Sequence, residues 1–114
     1  MANTFKLVTK AGVTSSDVIY TPDSVTTVIL GLILGNTTSS QVTATVSLAS
    51  TTSARAGDNN EANQTVELIT NAPIPAGSSL ELLAGNKVVM ENNDAISVSA
   101  TGSTDVALSI MEIS

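Results

Sequence analysis

The chain has 114 residues, of which 42% are hydrophobic and 2% aromatic, and its formal net charge at pH 7 is −6. Four Lys and Arg residues against ten acidic ones argue against nucleic-acid binding, because that function needs clustered basic side chains to neutralise phosphates. The sequence contains no histidine and no cysteine, which removes the usual general bases, activated thiols, zinc ligands and disulfides. We therefore expect a protein that is not an enzyme and needs no cofactor.

Short alternating segments begin the chain. Residues 5–10 (FKLVTK) and 17–21 (DVIYT) alternate apolar and polar side chains as half-buried strands do, and residues 11–16 between them predict a turn. No stretch of a dozen residues shows the apolar spacing of an amphipathic helix. The first residues lack the apolar stretch of a secretory signal, so we expect synthesis without export.

The most apolar run is VILGLIL, residues 28–34, which is far shorter than the roughly 20 residues that a membrane-spanning helix needs. It predicts a strand in which alternation places Ile29 and Ile33 on one face. The opposite face then carries Val28, Leu30, Leu32 and Leu34. A sheet with one solvated face needs apolar residues on one side only. Either the chain covers the second face of this strand, or another subunit does.

Six further strands are predicted after this run, at residues 41–49, 65–70, 79–83, 87–91, 95–100 and 105–113. The polar residues 35–40 have the length of a hairpin turn, and the two prolines within 71–77 are expected to end the strand before them. Nine strands joined by turns predict an all-β fold. We expect a single-domain antiparallel β-sandwich, or a jelly-roll-like arrangement, of about eight or nine short strands over residues 1–114.

The last strand repeats the ambiguity of the apolar run. Its first part loads one face with Val106, Leu108 and Ile110, whereas Met111 and Ile113 load the other. A β-bulge near Ile110 would bring both groups to one side, and a partner chain on the second face would explain the pattern equally well. The two strands together define a candidate subunit interface: Ile29, Ile33, Met111 and Ile113.

Residues 50–63 contain no apolar side chain larger than alanine, so we expect a long surface loop, and loops of this length are often functional. Five of its residues form a candidate partner-contact loop: Arg55, Asp58, Asn59, Asn60 and Glu61. Oxygen-rich groups at 57–61 and 91–94 suit calcium, but Asn and Asp are also ordinary turn residues, and neither group matches an EF-hand. A calcium-dependent binding module is therefore an alternative, without an assigned metal site. Asn36 and Asn63 begin Asn-X-Thr sequons, which matter only in a secretory pathway.

Few groups could carry catalysis. A Ser–Lys pair is formally available, and paired carboxylates such as Glu81 and Glu91 could act as acid and base in a glycosidase. No motif supports activation of either group, so we interpret both as solvated side chains on strand surfaces.

Four segments carry a resemblance to a known class of protein: MANTFK at 1–6, NAPIPAGSSL at 71–80, NDAISV at 93–98, and DVALSIMEIS at 105–114. With them the chain resembles small virion structural proteins of tailed bacteriophages, particularly those of cyanobacteria and other marine hosts. The resemblance implies an all-β accessory subunit present in many symmetric copies. Capsid decoration (cement) proteins fit its size and acidity, and tail, neck or fibre accessory proteins are the alternative.

These observations lead to one functional expectation. The chain is predicted to be a decoration protein that binds the capsid surface as a symmetric homo-oligomer, a homotrimer, and stabilises the shell. Its expected partners are further copies of itself and the major capsid protein or other virion proteins, with no nucleic acid and no membrane. We accordingly expect it in the virion, after synthesis in the host cytoplasm.

Overall fold

The computed structural model describes residues 2–51, 64–83 and 87–114, which form nine β-strands and no helix. The strands are β1 (Asn3–Val13), β2 (Ser16–Tyr20), β3 (Thr26–Asn36), β4 (Val42–Ser50), β5 (Gln64–Ile74), β6 (Ser79–Leu82), β7 (Val88–Met90), β8 (Ala95–Ala100) and β9 (Thr104–Ile113). Each contains or overlaps one of the nine predicted strands. Among these residues there is no helix long and apolar enough to cross a membrane.

The strands form two antiparallel sheets that enclose one core, which confirms the predicted β-sandwich. The first sheet has the order β1-β9-β3-β6, and β7 pairs with the other half of the same edge of β3. The second sheet has the order β2-β8-β4-β5. Aliphatic side chains from both sheets fill the space between them, among them Ile29, Leu32, Leu34, Val46, Ile96, Val98, Leu108 and Ile110.

The residues between β3 and β4 do not form the predicted hairpin. Both edges of β3 are occupied, by β9 on one side and by β6 and β7 on the other, so β4 pairs with β5 and β8 in the second sheet. The connection therefore crosses between sheets. Asn36 anchors it: its side-chain amide donates to the carbonyl oxygens of Ser40 at 2.8 Å and Ile74 at 2.9 Å, and its Oδ1 accepts from the amide of Thr38 at 2.8 Å. Asn36 is buried, so its sequon is inaccessible in the folded chain.

Several strands run further than predicted, and β5 and β1 continue into segments that were expected to end them. β5 continues through Pro73 to Ile74, because β5 lies at a sheet edge and pairs only with β4 among the described strands, where a missing ladder donor is tolerated. β1 continues to Val13 through an irregularity after Lys10. There Gly12 adopts a φ of 67°, and its amide donates to Asp105 Oδ1 at 2.9 Å.

A β-bulge in β3 changes which side chains face the core. Ile29 lies opposite Ile110 and Gly31 opposite Ser109, so Leu30 is an extra residue in the ladder. Alternation restarts after it, which turns both Ile29 and Leu32 inward. The prediction that Ile29 and Ile33 share one face is therefore wrong. Ile29 is 0% exposed and lies in the core, whereas Ile33 lies on the opposite side of the sheet.

Candidate assembly surface

The outer face of the first sheet is apolar and open to solvent. Four large apolar residues on this face are exposed: Phe5 is 71% exposed, Leu7 67%, Val89 58% and Ile33 47%. Contiguous apolar surface of this kind is uncommon on soluble monomers and usually marks a contact with another molecule. We call it the apolar face.

The strand register aligns four apolar residues across this face. Phe5 of β1 lies opposite Met111 of β9, Met111 lies opposite Val28 of β3, and Val28 lies opposite Val89 of β7. Directly opposite residues on neighbouring strands are in side-chain contact distance, so these four form a continuous apolar row. Ile113 adds to it at the next outward position of β9.

A hollow of about 250 Å³ lies beside the apolar row. Leu7 and Gly31 both lie opposite Ser109, so two of the three positions in this line across the sheet carry small side chains. A Cβ built on Gly31 would meet no atom within 4 Å. The hollow is bounded by Leu7, Leu30, Ile33, Glu81, Ala107 and Ser109. The bulge at Leu30 and the absence of a side chain at Gly31 thus make the apolar face uneven, with a hollow beside the apolar row.

A network of polar side chains holds β1 against the sandwich. Lys6 Nζ lies 2.8 Å from Glu112 Oε1, and the hydroxyl of Tyr20 in β2 donates to Glu112 Oε2 at 2.6 Å. The tyrosine oxygen is 2.8 Å from the hydroxyl of buried Thr27, which is the donor because the phenol hydrogen goes to the carboxylate. The network joins both sheets, and by turning Lys6 inward it turns Phe5 and Leu7 outward.

The same contacts shift two pKa values. Burial, followed by the hydrogen bond to anionic Glu112, raises the pKa of Tyr20 to about 12. The hydrogen bond from Lys6, followed by that from Tyr20, lowers the pKa of the Glu112 carboxyl below its ordinary value. Both shifts favour the observed arrangement, with a neutral phenol and an ionised carboxylate. The network has the chemistry of a structural clamp on the edge strand.

The second oxygen-rich group considered for calcium is a hydrogen-bonded turn. Asp94 is buried, and its two carboxylate oxygens accept from the amides of Thr51 at 3.1 Å and Glu91 at 2.9 Å. Asn92 Oδ1 accepts from the amide of Ser24 at 2.7 Å. Within the described ranges no three His, Cys, Asp or Glu side chains are placed to hold a metal ion. The oxygens of residues 91–94 fasten the turn between β7 and β8.

The structure divides the predicted interface residues. Ile33, Met111 and Ile113 lie on the apolar face, and their role in an interface stays a prediction. Ile29 does not belong with them, because the bulge places it in the core. The candidate partner-contact residues Arg55, Asp58, Asn59, Asn60 and Glu61 lie outside the described residues.

Sequence reasoning missed Phe5, Leu7, Val28 and Val89. In FKLVTK the apolar positions Phe5 and Leu7 alternate with Lys6 and Lys10, and such alternation ordinarily places the apolar side chains in the core. The structure reverses it, because Glu112 lies on the inner side of the neighbouring strand and pairs with Lys6. That signal exists only once the register of β1 and β9 is known.

Comparison with known proteins gives distant similarities. No protein-family model matches the chain, and no curated protein matches it. Among solved structures it is similar to a protein of Bacillus endospore appendages, a family of disulfide-linked pili, with 12% identity and a TM-score of 0.43 over 96% of this chain and 85% of that one. The present chain has no cysteine for such links.

Two viral structures are similar at the same level. One is from the Gx strain of infectious bursal disease virus, with 11% identity and a TM-score of 0.39 over 98% of this chain and 37% of that one. The other is from the T13 particle of that virus, with 10% identity and a TM-score of 0.39 over 96% and 35%. The chain spans little more than a third of those two proteins. None of the three comes from a tailed bacteriophage, and similarity this low does not indicate a shared function.

Proposed function

We propose that this chain is a structural subunit of a virion, and specifically a capsid decoration protein that binds the shell surface as a symmetric oligomer and stabilises it. The observation that carries the proposal is the apolar face, which exposes Phe5, Leu7, Ile33 and Val89 on one side of one sheet. The resemblance of the sequence to small phage virion proteins supports the place of this subunit in a virus particle.

The energetics favour a subunit over a solitary protein. Full burial of a large apolar side chain contributes about 1.5–3 kcal/mol. Four such side chains are more than 40% exposed on the apolar face, so covering them would offset much of the several kcal/mol that association costs in lost freedom. The paired strands also fix the backbone from which these side chains project, so only side-chain freedom is lost when an interface forms. Identical subunits with such a face suit repeated, symmetric assembly.

The shell would be contacted by a different part of the molecule. If the apolar face joins copies of the chain, the capsid must be bound elsewhere. The polar loop with Arg55, Asp58 and Glu61 is the proposed contact to the major capsid protein. Decoration stabilises a shell by bridging neighbouring capsid subunits, and a symmetric oligomer with one loop per copy supplies several equivalent contacts at high effective concentration.

Localisation in intact particles tests the proposal. We would image purified particles after labelling the protein with an antibody that recognises an added terminal tag. Label distributed over the capsid surface is the expected result. Label confined to the tail, neck or fibres would overturn the decoration role and favour the alternative, an accessory protein of those structures. Absence of the protein from purified particles would overturn a virion role altogether.

A further inference from the structure

We propose that the apolar face binds the same face of a second copy of this chain, so that two sandwiches pack sheet against sheet around a two-fold axis. This deepens the proposed assembly role by naming the partner of the face, and it rests on that proposal. In a two-fold contact the same patch serves both copies, so the face must be complementary to itself.

The uneven shape of the apolar face makes it complementary to itself. The apolar row of Phe5, Met111, Val28 and Val89 lies one outward position away from the hollow at Gly31 and Ser109. Outward positions along a strand are about 6.6 Å apart. A two-fold axis between the row and the hollow places the row of each copy over the hollow of the other. The hollow of about 250 Å³ is several times the ~30 Å³ occupied by one water molecule, which leaves room for a large side chain.

The charge pattern favours a second copy over a charged partner. The described outward positions of β1, β9 and β3 carry no Lys or Arg, and Asp105 at one end is their one acid. Asp105 Oδ1 already accepts a hydrogen bond from Gly12. A chain with a net charge of −6 would repel its copy through an ordinary surface. Here the residues of the apolar row are uncharged, and the acid nearest to them, Glu81 of β6, lies opposite Ile33 at the border of the hollow, so pairing has to leave its carboxylate at the rim of the interface.

The size of the face suits a stable pair. β1 and β3 have 11 residues each. At ~3.3 Å per residue such a strand is about 36 Å long, and four strands ~4.8 Å apart span about 19 Å. The projected area is therefore about 700 Å² per copy, close to the roughly 800 Å² per partner of a standard specific interface.

Other ways to cover or extend the sheet are less favourable. The edge of β1 that no described strand pairs with could add a strand, but Lys6 and Lys10 occupy inward positions there, and inward-pointing charges oppose edge-to-edge pairing. Residues 52–63 and 84–86 contain no apolar side chain larger than alanine, so by composition they are poor covers for the face. The features of the face and of its edge thus both point to packing between faces.

The test is the mass of the full chain by light scattering and sedimentation over a concentration series. The wild-type protein is expected to have the mass of two chains. Phe5→Ser, which removes part of the row, and Gly31→Val, which fills the hollow, should each raise the dissociation constant at least about tenfold. The monomer can accept Gly31→Val because no atom lies near the new Cβ. Val66→Ser removes a comparably exposed valine from the second sheet and should leave the pair intact.

Folding of each variant is verified by its circular dichroism and thermal transition. A wild-type protein that stays monomeric at the highest concentration, or a folded Gly31→Val variant that pairs normally, would overturn the inference. A mass of three chains would also overturn it, while leaving the proposed decoration role intact. Conversely, the protein could have a two-chain mass and the expected variant effects, yet not occur in any virus particle. That result would support the pairing and overturn the proposed function.

Discussion

The two sheets of the sandwich share one core and present opposite surfaces to their surroundings. In β4 and β8, the central strands of the second sheet, the outward positions carry hydroxyls, with Thr45 opposite Ser99 and Ser47 opposite Ser97, and exposed Val18 of β2 is an apolar exception at the edge. In the first sheet the corresponding positions carry Phe5, Met111, Val28 and Val89. Alternation of apolar and polar side chains is what an antiparallel sheet with one solvated face requires, and the central strands of the second sheet follow it. The difference is what we expect if solvent is the final environment of the second sheet and another chain covers the first.

The largest effect is expected from the same substitution at two isoleucines of β3. Ile29→Ala should lower the free energy of unfolding by about 2–5 kcal/mol, because Ile29 is fully buried between the sheets. Ile33 lies four residues further along β3, on the apolar face. Ile33→Ala should lower the free energy of unfolding of the unassembled chain by less than about 1 kcal/mol. Urea unfolding at low protein concentration measures both. Equal losses would contradict the bulge-induced change of face.

Ile29 and Ile33 also show which features of the fold could be predicted from the sequence. Period-2 alternation and one short apolar run were sufficient to locate all nine strands, because both patterns depend only on local side-chain order. They could not place Ile29, because one extra residue at Leu30 reverses the faces, and a bulge is defined by the neighbouring strand. They likewise could not predict that the residues after β3 cross to the other sheet, since the partners of β3 come from distant parts of the chain.

The connection between the sheets gives the next largest effect. Asn36→Ala should lower the free energy of unfolding by about 2–3 kcal/mol, because it leaves the buried carbonyl of Ile74 and the partly buried carbonyl of Ser40 without their donor. Asn92→Ala removes a hydrogen bond in an exposed turn and should cost less than about 1 kcal/mol. Thermal and urea unfolding of the two variants provide the comparison. An Asn36→Ala protein as stable as the wild type would show that the crossing does not depend on this side chain.

The clamp on β1 predicts an unusual tyrosine titration. Tyr20 is the single tyrosine, and the chain has no tryptophan, so ultraviolet absorbance follows its ionisation directly. Its pKa should be about 12 in the folded chain instead of 10.0. Because the raised pKa favours the neutral phenol in the fold, its contribution to stability is complete below pH 10 and is lost as pH rises towards 12.

A control variant separates the causes of this shift. Glu112→Gln keeps the shape of the side chain but removes its negative charge, so the tyrosine pKa should fall towards the ordinary value while the contribution from burial persists. A wild-type midpoint near 10 would contradict both the burial of the phenol and its hydrogen bond to Glu112, and a Glu112→Gln midpoint equal to that of the wild type would contradict the hydrogen bond alone.

The smallest effect concerns the exposed end of the clamp. Lys6→Ala should lower the free energy of unfolding by less than about 1 kcal/mol, because the lysine is largely exposed and its ion pair is screened by solvent. The lowered pKa of Glu112 implies a contribution that is present at neutral pH and is lost as pH falls through that lowered pKa. The difference between wild type and Lys6→Ala should therefore shrink in acid. A difference that grows in acid would assign the effect of Lys6 to something other than Glu112.

The central claim, that the outer face of the first sheet is an interface, is tested most directly by the oxidation of two methionines. Met111 lies in the apolar row, and Met90 lies in the core of the same sheet. Mild peroxide oxidation at rising protein concentration, read by mass spectrometry, should slow at Met111 as the face becomes covered, while Met90 stays protected throughout. An oxidation rate of Met111 that is fast and independent of concentration would contradict the account.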